Sequence, residues 1–173
     1  VTRNTQPAPV ALSSRILFIG DSRATDCRSA EWAGRLRTAG LDATVLRTAD
    51  APTRAAAARD ARVAIGDGTG TATAYRFLIS GSVRAAVLLN PVIAPVRLAH
   101  GPVLLIDTST ETEAVAEQLR SNGICDRCLV NVTAGRPDSG DEMAEVADYI
   151  RDWLDFHRLL APKHDTSRRD RRS

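Results

Sequence analysis

Gly66-Asp67-Gly68-Thr69-Gly70 is the stretch of this chain most capable of holding a reactive or binding group. Val63-Ala64-Ile65 drives straight into three closely spaced glycines, and Thr71-Ala72-Thr73-Ala74-Tyr75 follows with helical character, so the reading is strand, tight turn, helix. Two kinds of chemistry use that shape. In a G-x-S-x-G elbow the turn lifts a serine nucleophile above the sheet, and in glycine-rich loops the backbone cradles a dinucleotide or a methyl-donor cofactor. Here the serine's place is taken by Gly68. A second candidate is Gly20-Asp21-Ser22, also after an apolar run, where Ser22 offers a hydroxyl. General bases are scarce. His100 precedes a strand, His157 falls in the last helix and His164 in a polar tail, although histidine is the usual proton acceptor near neutral pH. Cys125 and Cys128 have redox or metal spacing, but Cys27 is the one other thiol and no second ligand pair accompanies them, so chance spacing in a loop is the simpler reading.

The elements that must position these groups follow from apolar runs and their stops. Ile16-Leu17-Phe18-Ile19 reads as a strand buried on both faces, ending at Gly20. Ser29 is placed to cap a helix over residues 30–39 with Trp32, Ala33 and Leu36 on one face and Gly40 as its stop. Residues 43–46 form a second strand, and Pro52 opens an alanine-rich helix over 53–61. Beyond the glycine turn come a helix over 71–79, strands over 83–89 and 103–106, a helix over 112–121, a strand over 129–132 and a helix from about 142 to 160. In this last helix Met143, Val146, Ile150, Trp153 and Leu154 recur at three-and-four spacing.

Six strands alternating with helices predict a three-layer α/β sandwich on a mostly parallel sheet. Sites in such sheets gather at the carboxyl ends of the strands, which selects Gly20, Asp21, Ser22, Asp67, Gly68, Thr69, Asn90, Asp107 and Arg136 as ligand-facing candidates. At the turn, Asp67 and Thr69 can equally well bond the backbone. Asp21, Asp67, Asn90, Asp107 and Arg136 are expected on one edge of the sheet.

The 173 residues suit one domain over 15–160, flanked by a flexible arm over 1–14 and a disordered basic tail over 161–173. A net charge of +2 demands neither nucleic acid nor a membrane surface as partner, and no apolar run nears the ~20 residues that span a bilayer. No signal peptide is evident, so the cytoplasm is the expected compartment. No cofactor and no metal is called for, and an exposed sheet edge leaves room for a homo-oligomer.

Four segments in succession carry a family resemblance over roughly residues 15–157: "RILFIGDSRATDCRSAEWAGRLRTAGLDATVL", "ARVAIGDGTGTATAYRFLISGSVRAAVLLNPV", "GPVLLIDTSTETEAVAEQL" and "CLVNVTAGRPDSGDEMAEVADYIRDWLDFH". Their order resembles the core of the α/β-hydrolase superfamily, nearest to small esterases and dienelactone-hydrolase-like members. The resemblance implies strand order 2-1-3-4-5-6, with the nucleophile at Gly68, the triad acid near Glu111 and the triad histidine near Arg136. The family's first two strands are absent, and no lid domain fits between Asn90 and Val103.

Glycine cannot attack an acyl carbon, and arginine, protonated throughout the physiological range, cannot accept a proton. The resemblance therefore implies a relative without a working triad, which acts by binding a small molecule or a protein. Two other resemblances compete. Phe18-Ile19-Gly20-Asp21-Ser22 is similar to block I of the SGNH (GDSL-type) esterases, which would make Ser22 a nucleophile. That family's Asp-x-x-His and Gly-x-Asn-Asp blocks are missing, and a polar loop leading into the next helix is the plainer reading. The loop from Gly66 to Gly70 also resembles locally that of S-adenosylmethionine-dependent methyltransferases, or a nucleotide-binding loop, yet Ala64 and Asn90 stand where acidic residues belong.

Overall fold

The computed structural model describes residues 15–20, 26–46, 61–92, 101–107, 117–118, 121, 127–130 and 140–160. Its strands are β1 (Arg15–Ile19), β2 (Asp42–Leu46), β3 (Ala61–Asp67), β4 (Ala85–Leu89), β5 (Val103–Asp107) and β6 (Arg127–Val130). Three helices complete the described elements: α1 (Asp26–Thr38), α2 (Gly70–Ile79) and α3 (Gly140–Phe156). The six strands form one sheet in the order β2-β1-β3-β4-β5-β6, with every adjacent pair parallel.

Strand character follows from burial on both faces. All five residues of β4 and four of the five in β1 are buried, which explains why these segments are continuous apolar runs and not alternating ones. Successive side chains then sort to opposite faces. Ile16, Phe18, Val63, Ile65, Val87, Leu104 and Ile106 join Trp32, Ala33 and Leu36 of α1 and Met143, Val146, Ile150, Trp153 and Leu154 of α3 in one core. Leu17, Ile19, Ala64, Ala86, Leu88 and Leu105 join Ala74, Tyr75 and Leu78 of α2 in a second core on the other face. Three layers result. In this strand order β2 lies on one side of β1 and β3 on the other, so the winding of the chain reverses at the β1–β3 pair.

Several expected boundaries move. Helix α1 begins at Asp26, so Ser29 is an internal residue and not its cap. Its end at Gly40 agrees with expectation: the Leu41 amide donates to the Leu36 carbonyl at 2.9 Å, and Gly40 adopts φ +85°. Ala61 belongs to β3 and not to a preceding helix, whose remaining expected residues, 53–60, lie outside the described set. Strand β4 starts at Ala85, two residues later than the apolar run suggests, because Val83 packs in the second core ahead of the sheet. Strand β6 starts at Arg127, which puts Cys128 inside the strand opposite Leu105; Cys125 lies outside the described residues. Helix α3 ends at Phe156. Arg158, at φ +55°, turns the chain so that the Leu159 amide reaches the Leu154 carbonyl, and His157 therefore lies just beyond the helix. Of the helix expected over 112–121, residues 117, 118 and 121 are described and helical. Among the described residues no helix is long and apolar enough to cross a membrane.

The orientation of α3 is open to a direct check. Ile150 is fully buried and Glu145 exposed on the same helix. Ile150→Ala should lose about 2–5 kcal/mol in urea unfolding, the usual cost of truncating a buried isoleucine, whereas Glu145→Ala should stay within about 0.5 kcal/mol. Equal effects of the two substitutions would mean that α3 does not present this face to the sheet.

Candidate functional site

The glycine turn is built by backbone crossing backbone. Strand β3 delivers Asp67 to the carboxyl edge, Gly68 takes φ +55°, and α2 starts at Gly70. The Gly68 amide donates to the carbonyl of Leu89 at 2.9 Å, which prolongs the β3–β4 ladder into the turn. The Gly68 carbonyl accepts twice from Thr71, from its amide at 3.2 Å and from its buried hydroxyl at 2.7 Å. Thr69 occupies the N-cap position of α2 without a side-chain capping bond, so the Thr71 hydroxyl does the work of closing the turn.

The two flanking glycines are required by contact. A Cβ at Gly66 would lie 2.5 Å from the Thr71 Cα and 2.6 Å from the Gly70 carbonyl oxygen. One at Gly70 would run into the carbonyl oxygens of Ile19 and Gly20 at the end of β1. The first turn of α2 is thus wedged against the ends of both β1 and β3, closer than any side chain allows. Gly68 adds a different requirement. Its left-handed backbone costs an L-residue roughly 1–2 kcal/mol, a strain that the G-x-S-x-G elbow imposes on its serine and that glycine avoids.

Asp67 does not point into open space. Alternation along β3 sends Val63, Ile65 and Asp67 to the face covered by α1 and α3, so the carboxylate arrives where the first turn of α1 passes. There its Oδ2 lies 3.4 Å from Nε of Arg28, with the Asp67 side chain 7% and the Arg28 side chain 22% exposed. At this separation the contact is an ion pair and not a short hydrogen bond. Its chemical effect is to hold a buried charge beside Gly68 with its counter-charge in place, since an uncompensated one would be costly there. Asn90, at the end of β4, has its own left-handed backbone at φ +48°, and its amide donates to the Ile106 carbonyl at 2.8 Å. Asp107 ends β5 on the same edge.

The structure thereby brings Gly20, Asp67, Gly68, Thr69, Asn90 and Asp107 to the carboxyl ends of β1, β3, β4 and β5, as parallel pairing demands. Asp21, Ser22, Glu111 and Arg136 lie outside the described residues, as do His100 and His164. His157 is held elsewhere. Its ring centroid is 4.7 Å from that of Trp153 and 5.2 Å from that of Phe156. Helix α3 follows β6 and lies back across the sheet, running against the strands for about 25 Å at 1.5 Å per residue. Its last turn therefore falls toward the amino-terminal edge, away from Gly68. Among the described residues, no group of three or more His, Cys, Asp or Glu side chains is arranged to hold a metal ion.

Two residues escaped the sequence reading. Arg28 was hidden because a helix begun at residue 30 leaves it in a loop, whereas a start at Asp26 puts it in the first turn. Thr71 was placed at the start of the helix without a role for its hydroxyl, and the signal that could have found that role is a hydroxyl three residues after the central glycine.

No family model matches this chain, and no curated protein matches it. Solved structures with a similar fold include esterase PE8, 13% identical with a TM-score of 0.54, covering 81% of this chain and 92% of the esterase. A flavodoxin from the domain Archaea is 9% identical with a TM-score of 0.46, covering 82% of this chain and 99% of that one. A flavodoxin-like domain from Synechococcus sp. is 14% identical with a TM-score of 0.45 over 82% of this chain and 99% of that one. At such identities the likeness to the esterase concerns the fold, an α/β sandwich on a parallel sheet.

Opposite responses at two glycines test the packing of the turn. Gly34, within α1, has nothing within 4 Å of an added Cβ, so Gly34→Ala should raise stability by about 0.5–1 kcal/mol. Gly70→Ala should lower it by at least about 1–3 kcal/mol, because backbone must move. Calorimetric melting of both variants reads the two signs, and a neutral Gly70→Ala would contradict the wedge. For the ion pair, Asp67→Asn, Arg28→Met and the double variant form a cycle, with an expected coupling of about 0.5–3 kcal/mol in urea unfolding. Additive losses would mean that the two charges do not sense one another.

Proposed function

We propose that this chain is a non-catalytic relative of the α/β-hydrolases that acts by binding a small molecule or a protein at the carboxyl edge of its sheet. The observation that carries the reading is Gly68: a strand–turn–helix with the left-handed backbone of a nucleophile elbow, clamped by Gly66 and Gly70, and without a hydroxyl at its apex. The resemblance in the order of segments, from Arg15 to His157, supports this family, and the fold likeness to an esterase is compatible with it. In that mapping the acid falls near Glu111 and the histidine position is held by Arg136, which supplies charge but no base.

A binding role suits what remains. Acyl transfer requires a nucleophile and a base within about 2.6–3.2 Å of each other, and loss of triad members leaves only the slow catalysis due to binding and polarisation. The residues around the turn are instead committed to shape: Asp67 to Arg28, Thr71 to the Gly68 carbonyl, and the Gly68 amide to Leu89. A site whose polar groups are held in place by one another is pre-organised, which suits recognition of a ligand.

The expected outcome with short p-nitrophenyl esters is no turnover beyond that of a Ser22→Ala variant. Gly68→Ser should fold with a loss of roughly 1–2 kcal/mol, the left-handed penalty, and should gain no esterase activity for want of a base. Ester hydrolysis that disappears with Ser22→Ala would replace this reading by an esterase using Ser22. Activity that appears with Gly68→Ser would mean that a working base still faces the turn.

A further inference from the structure

We draw no further inference here: the strongest candidate, the Arg28–Asp67 ion pair between the first turn of α1 and the carboxyl end of β3, belongs to the site already described.

Discussion

The close crossing of three backbone segments, at the end of β1, the end of β3 and the start of α2, sets the terms for the rest of this fold. Gly66 and Gly70 permit it, since a methyl group at either would meet peptide atoms and not the yielding tip of a side chain. Once the first turn of α2 is lodged there, the helix can descend only over the face built by Leu17, Ile19, Ala64 and Ala86, where Ala74, Tyr75 and Leu78 complete the core. Alanines at 64, 74 and 86 fit the same constraint: a helix and strand brought this near leave room for small side chains. The other face, free of this restriction, takes Trp32, Phe18 and Trp153, with the rings of Phe18 and Trp32 stacked at 6.2 Å.

Charge enters this apolar framework at one described point. Burying Asp67 beside Gly68 would be unfavourable alone, and Arg28 supplies the compensation from the neighbouring helix. Pairs of this kind add little net stability compared with apolar packing, so the pair is better understood as fixing which way the carboxylate faces. It ties the turn to α1 on one face, while the Thr71 hydroxyl ties it to α2 on the other. The turn is therefore held from both layers at once, which is the physical content of calling the site pre-organised.

How far the sequence revealed this depends on the range of the interactions concerned. Strand positions were legible because β1, β3, β4 and β5 are buried on both faces and must be written as apolar runs, and their parallel order followed from the alternation with helices. The glycine turn was legible for the same local reason. The start of α1 was not, because Ser29 has the chemistry of a cap and the actual first turn, from Asp26, has no apolar periodicity to announce it. That error concealed Arg28, and with it the partner of Asp67, a contact between residues far apart in the chain that no spacing rule encodes. Cys128 was misplaced into a loop because a polar Arg127 and a thiol at a sheet edge do not resemble a buried strand. Glu111 and Arg136, which the α/β-hydrolase resemblance makes important, and Ser22, which the competing SGNH resemblance does, lie outside the described residues and depend on chemistry for their test.

The central claim is that no serine in this chain is an activated nucleophile. A fluorophosphonate probe tests it most directly, because it phosphonylates a serine only where a base and a polarising site have already raised its reactivity. The folded protein is expected to stay unlabelled under conditions that label a functional serine hydrolase to completion. Stoichiometric labelling of the folded chain at a single serine, abolished by unfolding and mapped by peptide mass spectrometry to Ser22 or any other position, would contradict the account.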